Sequence, residues 1–472
     1  MDETRTQREQ RTQSAERRGA EAQSAEGQSA EGQSAEVRRR RGTALLGFSA
    51  LCGLGVLCSL CVLVAVQAAQ APPTATVSMV GVSSEAAAFW SRWRGPSGQG
   101  LAADSGYVDR WSPTENVLWR APVPGRGHSS PIVWKDRLFI TTARGDGRVS
   151  MLAFNRADGK LLWEAVNPDR TPESLHQKNS PASATPTTDG ERVYASFGNK
   201  GVIAVDFDGR VAWHRSLGTF NNYHGTAGSP LLYKNRLIVF EDHAGGAFIA
   251  ALDTATGKTV WQTSRRGTVG WSTPIAIRAF DHDEIIVSSQ SMVHAYNPDT
   301  GAELWTCRGN LFEVIPTPVV GHGLVFCSSG RAGPTLAIKP GGKGDVTHSH
   351  LVWQSPRGSP FVPSPLLYGD FLYLVNDMTS IATALNAATG EVLWQGRLGV
   401  ATREGFSASP VGVDNKIFFT NDEGETFVLR AGATFDLLHV NRLNAQVLAS
   451  PALVDRKWYF RTDRELLAIG GR

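Results

Sequence analysis

An all-β ring of eight four-stranded blades, an eight-bladed β-propeller latched by its own N-terminal strand, is what this 472-residue sequence predicts. Three observations carry the prediction. A Ser/Thr-Pro pair recurs eight times, with prolines at 131, 186, 230, 274, 318, 365, 410 and 451, so the steps are 55, 44, 44, 44, 47, 45 and 41 residues. Each pair is followed by two short apolar runs joined by a tight polar turn, as in SPIVWKDRLFITT and SPLLYKNRLIVFED, which is hairpin patterning. The last repeat is one strand short, and the missing strand stands near the start of the repeat region. A period in the forties with four strands per unit is the signature of a propeller blade.

The chain reaches this ring through three segments. Residues 1–41 are polar and repetitive, with QSAEG at Gln23 and Gln28 and QSAE at Gln33. With almost no large apolar residues, this leader cannot offset the entropy of ordering and is expected to be disordered. Arg38 to Arg41 then precede an uncharged, mostly apolar run, 42–66, long enough to cross a bilayer as one hydrophobic helix. The arginine block places its start on the cytoplasmic side and the rest of the chain outside. Ala69-Gln70-Ala71 before Pro72-Pro73 reads as a cleavage site, which makes the run a signal segment. The long polar leader and the length of the run favour an uncleaved transmembrane anchor instead. Residues 67–88 read as a linker, and 89–472 as the propeller with its lead-in, 89–115.

In five of the repeats the third strand carries Ala-apolar-Asp/Asn, as in Ala153-Phe154-Asn155 and Ala251-Leu252-Asp253. A turn ending in glycine follows, and four residues later comes a tryptophan in the fourth strand: Trp163, Trp213, Trp261, Trp305 and Trp394, with Trp353 after an irregular turn. The seventh repeat has no tryptophan after Leu429-Arg430-Ala431-Gly432. The eighth stops at Leu466-Leu467-Ala468-Ile469, and Asn116-Val117-Leu118-Trp119 supplies its fourth strand. Pairing the two chain ends removes the exposed sheet edges that an open ring would present.

A net charge of +3 argues against nucleic acid as a partner. Cys52, Cys58 and Cys61 fall in the apolar run, leaving Cys307 and Cys327 in the ring. They could pair in an oxidising compartment or remain two buried thiols. No CxxC or Cys/His spacing of a structural zinc site is present.

The unit Ala-x-Asp-x-x-Thr-Gly-x-x-x-Trp, cleanest as ALDTATGKTVW from Ala251 to Trp261, resembles the pyrroloquinoline-quinone (PQQ)-like propeller family over about 350 residues. WRGP from Trp93 to Pro96, with GRGHSSP and HQKNSPASATP, is similar to a widespread bacterial group of such propellers. The resemblance implies that Trp119, Trp163, Trp213, Trp261, Trp305, Trp353 and Trp394 form a packing girdle between blades. The family holds both PQQ-dependent alcohol dehydrogenases and a non-catalytic, BamB-like branch of outer-membrane assembly proteins.

Topology separates the two faces of such a ring. Turns between strands 1 and 2, and between 3 and 4, share one face and are short; their residues answer to turn geometry. Loops entering strand 1 and joining strands 2 and 3 share the other, and these carry the unusual polar residues. The candidate binding face comprises Arg126, His128, His176, Lys178, Asn179, His224, Arg265 and Trp271 before strand 1, and Glu241, Asp242, Asn376 and Asp377 after strand 2. Glu313 and Asp422 occupy similar places. His128, His176 and His224 precede strand 1 in three successive blades and would make a metal set with Glu241 or Asp242, but isolated histidines more often cap backbone groups, so no metal is expected.

The expected function is a membrane-attached, non-catalytic binding or assembly scaffold of the bacterial envelope. Its partners would be envelope proteins or a small ligand on the loop face, and the membrane through 42–66. No catalytic residue and no cofactor are expected. The alternative implied by the resemblance is a PQQ- and calcium-dependent alcohol or sugar dehydrogenase, with Trp271, Glu241, Asn376 and Asp377 about the quinone and the ion. The adjacent cysteine pair common in alcohol-oxidising members is missing, as is a CxxCH haem motif. A hydrolase would want GxSxG or HExxH, and neither occurs.

Overall fold

The computed structural model describes residues 76–266, 269–330, 333–356, 358–400 and 405–471. They form eight sheets, each built on four consecutive antiparallel strands except the last. Blade 3 is representative: Leu231–Tyr233, Arg236–Glu241, Phe248–Asp253 and Thr259–Ser264, paired in sequence order. The middle strands are packed on both faces by neighbouring blades, which is why LIVFE and FIAALD are apolar almost throughout. The fourth strand keeps one face in water and alternates accordingly. Tight turns join strands 1 and 2; at Asp414-Asn415 and Asp455-Arg456 both turn residues have φ between 50° and 58°, the hairpin geometry that matches strand twist.

Blades are tied to one another at two radii. Near the outside, five of the seven girdle tryptophans lie on the turn glycine of the next blade: Trp119 on Gly159, Trp163 on Gly209, Trp213 on Gly257, Trp261 on Gly301 and Trp353 on Gly390. A Cβ on Gly301 would fall 2.4 Å from the Trp261 ring, so only glycine admits the indole. Indole N–H groups of Trp119, Trp163, Trp213, Trp261, Trp353 and Trp394 donate to backbone carbonyls of the following blade at 2.9–3.1 Å. Trp305 departs from this pattern. Blade 5 replaces its tight turn by a longer segment that pairs Gly344–Asp345 with blade 4, and Trp305 donates instead to Glu284 of its own blade at 2.9 Å.

Near the axis, the Ser/Thr-Pro pairs do the tying. The N–H of Ser130, Thr185 and Ser229 donates to the hydroxyl of Thr185, Ser229 and Thr273 in the next blade at 2.9–3.1 Å. Thr317, Ser364 and Ser409 do the same toward Ser364, Ser409 and Ser450. Two seams use substitutes. Between blades 4 and 5 the Ser272 hydroxyl donates to Pro316 O at 3.0 Å, and between blades 8 and 1 Arg461 Nη1 donates to Ser129 Oγ at 2.7 Å.

The ring closes as expected. Val117–Pro122 pairs antiparallel with Glu465–Ile469, with Val117 opposite Ile469 and Trp119 opposite Ala468, and completes blade 8. The preceding chain lies across the turn face. Trp90 O accepts from Val133 of blade 1 and Ser91 O from Thr188 of blade 2. Gln99 Oε1 accepts from Val320 of blade 5, Arg94 donates to Pro365 O of blade 6, and Gly100 and Ala102 bond to Gly412 of blade 7. Val108 O accepts the indole N–H of Trp458 in blade 8.

Three expectations need revision. Part of the stretch read as linker is built into the ring, since Val77–Met79 adds to the inner edge of blade 4 against Ile275–Ala279. The disordered leader, 1–41, and the apolar run, 42–66, lie outside the described residues. Among the described residues no helix is long and apolar enough to cross a membrane; the α-helix Thr347–His350 has four residues, against about 20 for a span. The architecture is corrected accordingly: the eight-bladed ring stands, and among the described residues no spanning helix supports the preceding hydrophobic helix or the membrane attachment through 42–66 drawn from it. Cys307 and Cys327 are free and buried.

The axial ties give a direct test. Thr185→Ala leaves the buried Ser130 N–H without its acceptor and should cost about 1–3 kcal/mol in urea unfolding. Thr185→Ser keeps the hydroxyl and should cost much less. Equal stability of the two variants would mean that the seam is held by packing alone.

Candidate binding site on the loop face

All eight residues of the axial series, Ser130, Thr185, Ser229, Thr273, Thr317, Ser364, Ser409 and Ser450, line one central cavity of about 200 Å³. Because each precedes the proline that starts an innermost strand, the repeat itself delivers them to the axis. Trp93 of the lead-in closes the cavity from the turn side, its indole N–H donating to Thr317 Oγ1 at 3.0 Å. Ile315, Phe361, Val362 and Leu448 add apolar wall.

Six of the expected binding residues meet at the mouth: His128, His176, Lys178, Asn179, His224 and Trp271. The long loop entering blade 2 brings three of them by folding onto the blade 3 loop. Asn179 Nδ2 donates to His224 O at 2.8 Å, and Glu173 accepts from both the N–H and the hydroxyl of Thr226 at 2.7 and 2.9 Å. The rings of His176 and His224 then lie 4.7 Å apart, and His224 stacks on Trp271 at 5.7 Å. Glu313 stands beside them, accepting from the Tyr223 hydroxyl at 2.9 Å. On the other side Lys178 reaches from blade 2 to blade 7, where its ammonium meets Asp422 Oδ2 at 2.8 Å, and the Ser407 hydroxyl donates to the same oxygen.

The remaining expected residues have other places. Arg265 and Asp242 form a bidentate, fully buried ion pair, with the guanidinium also bonded to the Tyr296 hydroxyl and packed over Phe240. Glu241 is buried, and burial, then the Glu173 and Asp242 charges, hold its carboxyl well above the usual range. Asn376 caps its own loop through Thr379, and Asp377 accepts the N–H of Phe361 at 2.7 Å. Arg126 is exposed at a neighbouring pocket. Among the described residues no three of His, Cys, Asp and Glu gather as a metal site. Of the four residues cast for quinone and calcium, Trp271 lines the cavity whereas Glu241, Asn376 and Asp377 do not, so this donor set does not fit the group. Trp93, Glu173 and Arg461 escaped the sequence reading. Trp93 was visible only within WRGP, outside the repeat, and Glu173 and Arg461 carry no motif.

Two buried groups beside the cavity give its acid response. Burial, then the charges of Arg461 and Lys178, lower His128 to about 4, so it is neutral at pH 7. Burial raises Asp377 to about 6. A lowered histidine favours the folded state above its ordinary value of 6.5 and loses that contribution as pH falls toward 4. A raised aspartate acts oppositely: its contribution is present below 3.8 and is lost as pH rises through 6. His128→Gln should therefore relieve the loss of stability on acidification through this window, and Asp377→Asn the loss on raising pH through it. Unfolding curves for both variants that run parallel to the parent from pH 4 to 6.5 would contradict these environments.

With this geometry in hand, comparison with known proteins places the chain. The family described as outer membrane protein assembly factor BamB matches residues 101–239, 189–396 and 377–470. Among curated relatives, tetrathionate hydrolase of Acidithiobacillus ferrooxidans is 22% identical over 371 residues, covering 72% of this chain and 64% of that protein. BamB of Burkholderia pseudomallei is 26% identical over 222 residues, covering 46% and 52%. The aligned region thus spans less than two thirds of either relative. Among solved structures, BamB from Moraxella catarrhalis superposes with a TM-score of 0.55 at 18% identity, covering 73% of this chain and 94% of its own. A quinohemoprotein alcohol dehydrogenase from Comamonas testosteroni gives 0.60 at 10% identity, covering 82% of both, and at such identities the likeness is one of fold. Since the matched segments run through the whole ring, the chain belongs to the PQQ-like β-propeller family described as outer membrane protein assembly factor BamB.

Proposed function

We propose that this protein is a non-catalytic binding scaffold of the bacterial envelope, acting outside the cytoplasm and engaging an envelope protein or a small ligand through the loop face. The observation that carries this reading is the difference between the two faces. The lead-in seals the axis on the turn side, and the long loops assemble an open, hydroxyl-lined cavity with cationic, imidazole and indole groups on the other. Loops held on a rigid ring are where binding groups concentrate, and tryptophan is prominent among anchoring residues. The family description, outer membrane protein assembly factor, supports the extracytoplasmic setting and the scaffold role.

The dehydrogenase reading draws on the fold shared with the quinohemoprotein enzyme. It is the weaker of the two because the carboxylate and amide groups it needs near the quinone are spent elsewhere: Asn376 on a turn, Asp377 on a backbone N–H and Glu241 in the interior.

A photo-crosslinking residue at Tyr223, half exposed on the loop face, should yield adducts in intact cells. Positions Lys234 and Lys258 on the turn face should not, and His176→Ala with Lys178→Ala should abolish the Tyr223 adducts. Adducts from the turn face alone would contradict the assignment. Quinone absorbance and alcohol-dependent dye reduction, on adding PQQ and calcium to the purified protein, would replace the scaffold by the dehydrogenase.

A further inference from the structure

A second pocket, of about 440 Å³, opens at the seam where blade 8 meets blade 1. Its wall includes Arg126, Gly127, His128, Lys178, Arg461 and Arg464, and it adjoins the central cavity through His128 and Lys178. Its charges do not balance. Lys178 is offset by Asp422, and Arg464 by Asp463 at 3.3 Å. Arg126 makes no ion pair among the described residues, and Arg461 has no carboxylate partner there either.

Arg461 is the unusual member. Only 2% of it is exposed, yet Nε is buried without a hydrogen-bond acceptor and Nη2 makes no hydrogen bond among the described residues. Nη1 alone is committed, to Ser129 O and Oγ at 3.2 and 2.7 Å. Holding the seam explains that one nitrogen and leaves the other two idle. A buried guanidinium without its acceptors is costly, and other seams are held by neutral hydroxyls at no such cost.

The repeat makes the anomaly sharper. Arg461 stands two residues after Tyr459, the partner of the first residue of strand 1 in blade 8. The same register position in blades 1 to 7 holds Thr141, Ser196, Phe240, Ser288, Ser328, Val375 and Thr420. Seven uncharged residues and one arginine indicate that the blade does not need the charge. Gly127 points the same way, since a Cβ there would lie 2.6 Å from Arg461 Nη2 and would crowd the side on which that nitrogen is free.

We infer that the blade 8–blade 1 pocket is an oxyanion-binding site, with Arg461 as its buried anchor and Arg126 as its outer clamp. The ligand is a phosphate, sulfate or carboxylate group, whose oxygens match the planar fork of a guanidinium in geometry and charge. Burial without a counter-charge lowers Arg461 to about 9, and an anion bound beside it would restore the ordinary value. Neither Arg461 nor Arg126 lines the central cavity that carries the scaffold reading, so variants at these two arginines test this site apart from that reading.

Inorganic phosphate, sulfate and acetate, titrated separately into the full chain at constant ionic strength set with chloride, test it by calorimetry and by the melting temperature. Saturable binding with a rise in Tm is expected. Arg126→Ala, at an exposed side chain, should weaken it by about tenfold. Arg461→Lys, which keeps the charge and loses the fork, should weaken it further, while Lys258→Ala on the turn face should leave it unchanged. Preference for phosphate and sulfate assigns a tetrahedral dianion, and preference for acetate a carboxylate; either upholds the site. Absence of saturation, or equal losses in Arg126→Ala and Lys258→Ala, would overturn it.

Discussion

The pairing of Val117–Pro122 with Glu465–Ile469 is the constraint on which the rest of this fold depends. Seven blades are made of neighbours in sequence and each could close its own four strands. The eighth cannot, and without the N-terminal strand it would present both an open edge and an unpacked tryptophan, Trp119, whose partner surface is Gly159 in blade 1. One strand therefore completes a sheet, supplies a girdle residue and joins the ends of the chain. It also fixes where the preceding residues must run: having been anchored at the outside of blade 8, the chain before it is laid across the turn face.

That placement makes the two faces unequal. Arg92 and Arg94 are buried beneath the ring, with Arg94 donating to Pro365 O of blade 6 and Arg92 to Pro96 O, so the lead-in is held by hydrogen bonds as well as by packing. Trp93 between them closes the axial cavity. The opposite face is left to the loops. Six of the eight axial hydroxyls serve two ends at once there: they receive backbone N–H groups across the seams, and they form the polar wall of the cavity. The seam that closes the ring is also the one that departs most from the repeat in charge, exchanging a hydroxyl tie for Arg461.

The ring was legible in the sequence because its determinants are local and repeated. Ser/Thr-Pro, the turn glycine and the tryptophan recur at blade spacing, and their absence at Leu429-Arg430-Ala431-Gly432 and after Ile469 was as informative as their presence. Which face carries the long, varied loops followed from topology. Which residues would meet there did not, because convergence depends on how the loop entering blade 2 folds onto blade 3. His176, Lys178 and His224 arrive by that route, while Arg265 and Asp242, equally polar in the sequence, find each other and turn inward. Trp93 belongs to a segment with no repeat to align it, and Arg461 becomes conspicuous only once strand register gives it seven counterparts. Length and hydropathy alone suggested a spanning helix at 42–66, and nothing in the described residues supplies one.

Hydrogen exchange across the closing strand tests the account most directly. If the ring is latched by its two ends, amides of 117–122 should exchange as slowly as those of Glu465–Ile469, with the same dependence on denaturant, because both open only when the whole ring unfolds. Exchange of 117–122 through a separate, lower-energy opening that leaves Glu465–Ile469 protected would show that the strand is an accessory to blade 8 and does not hold the ring together.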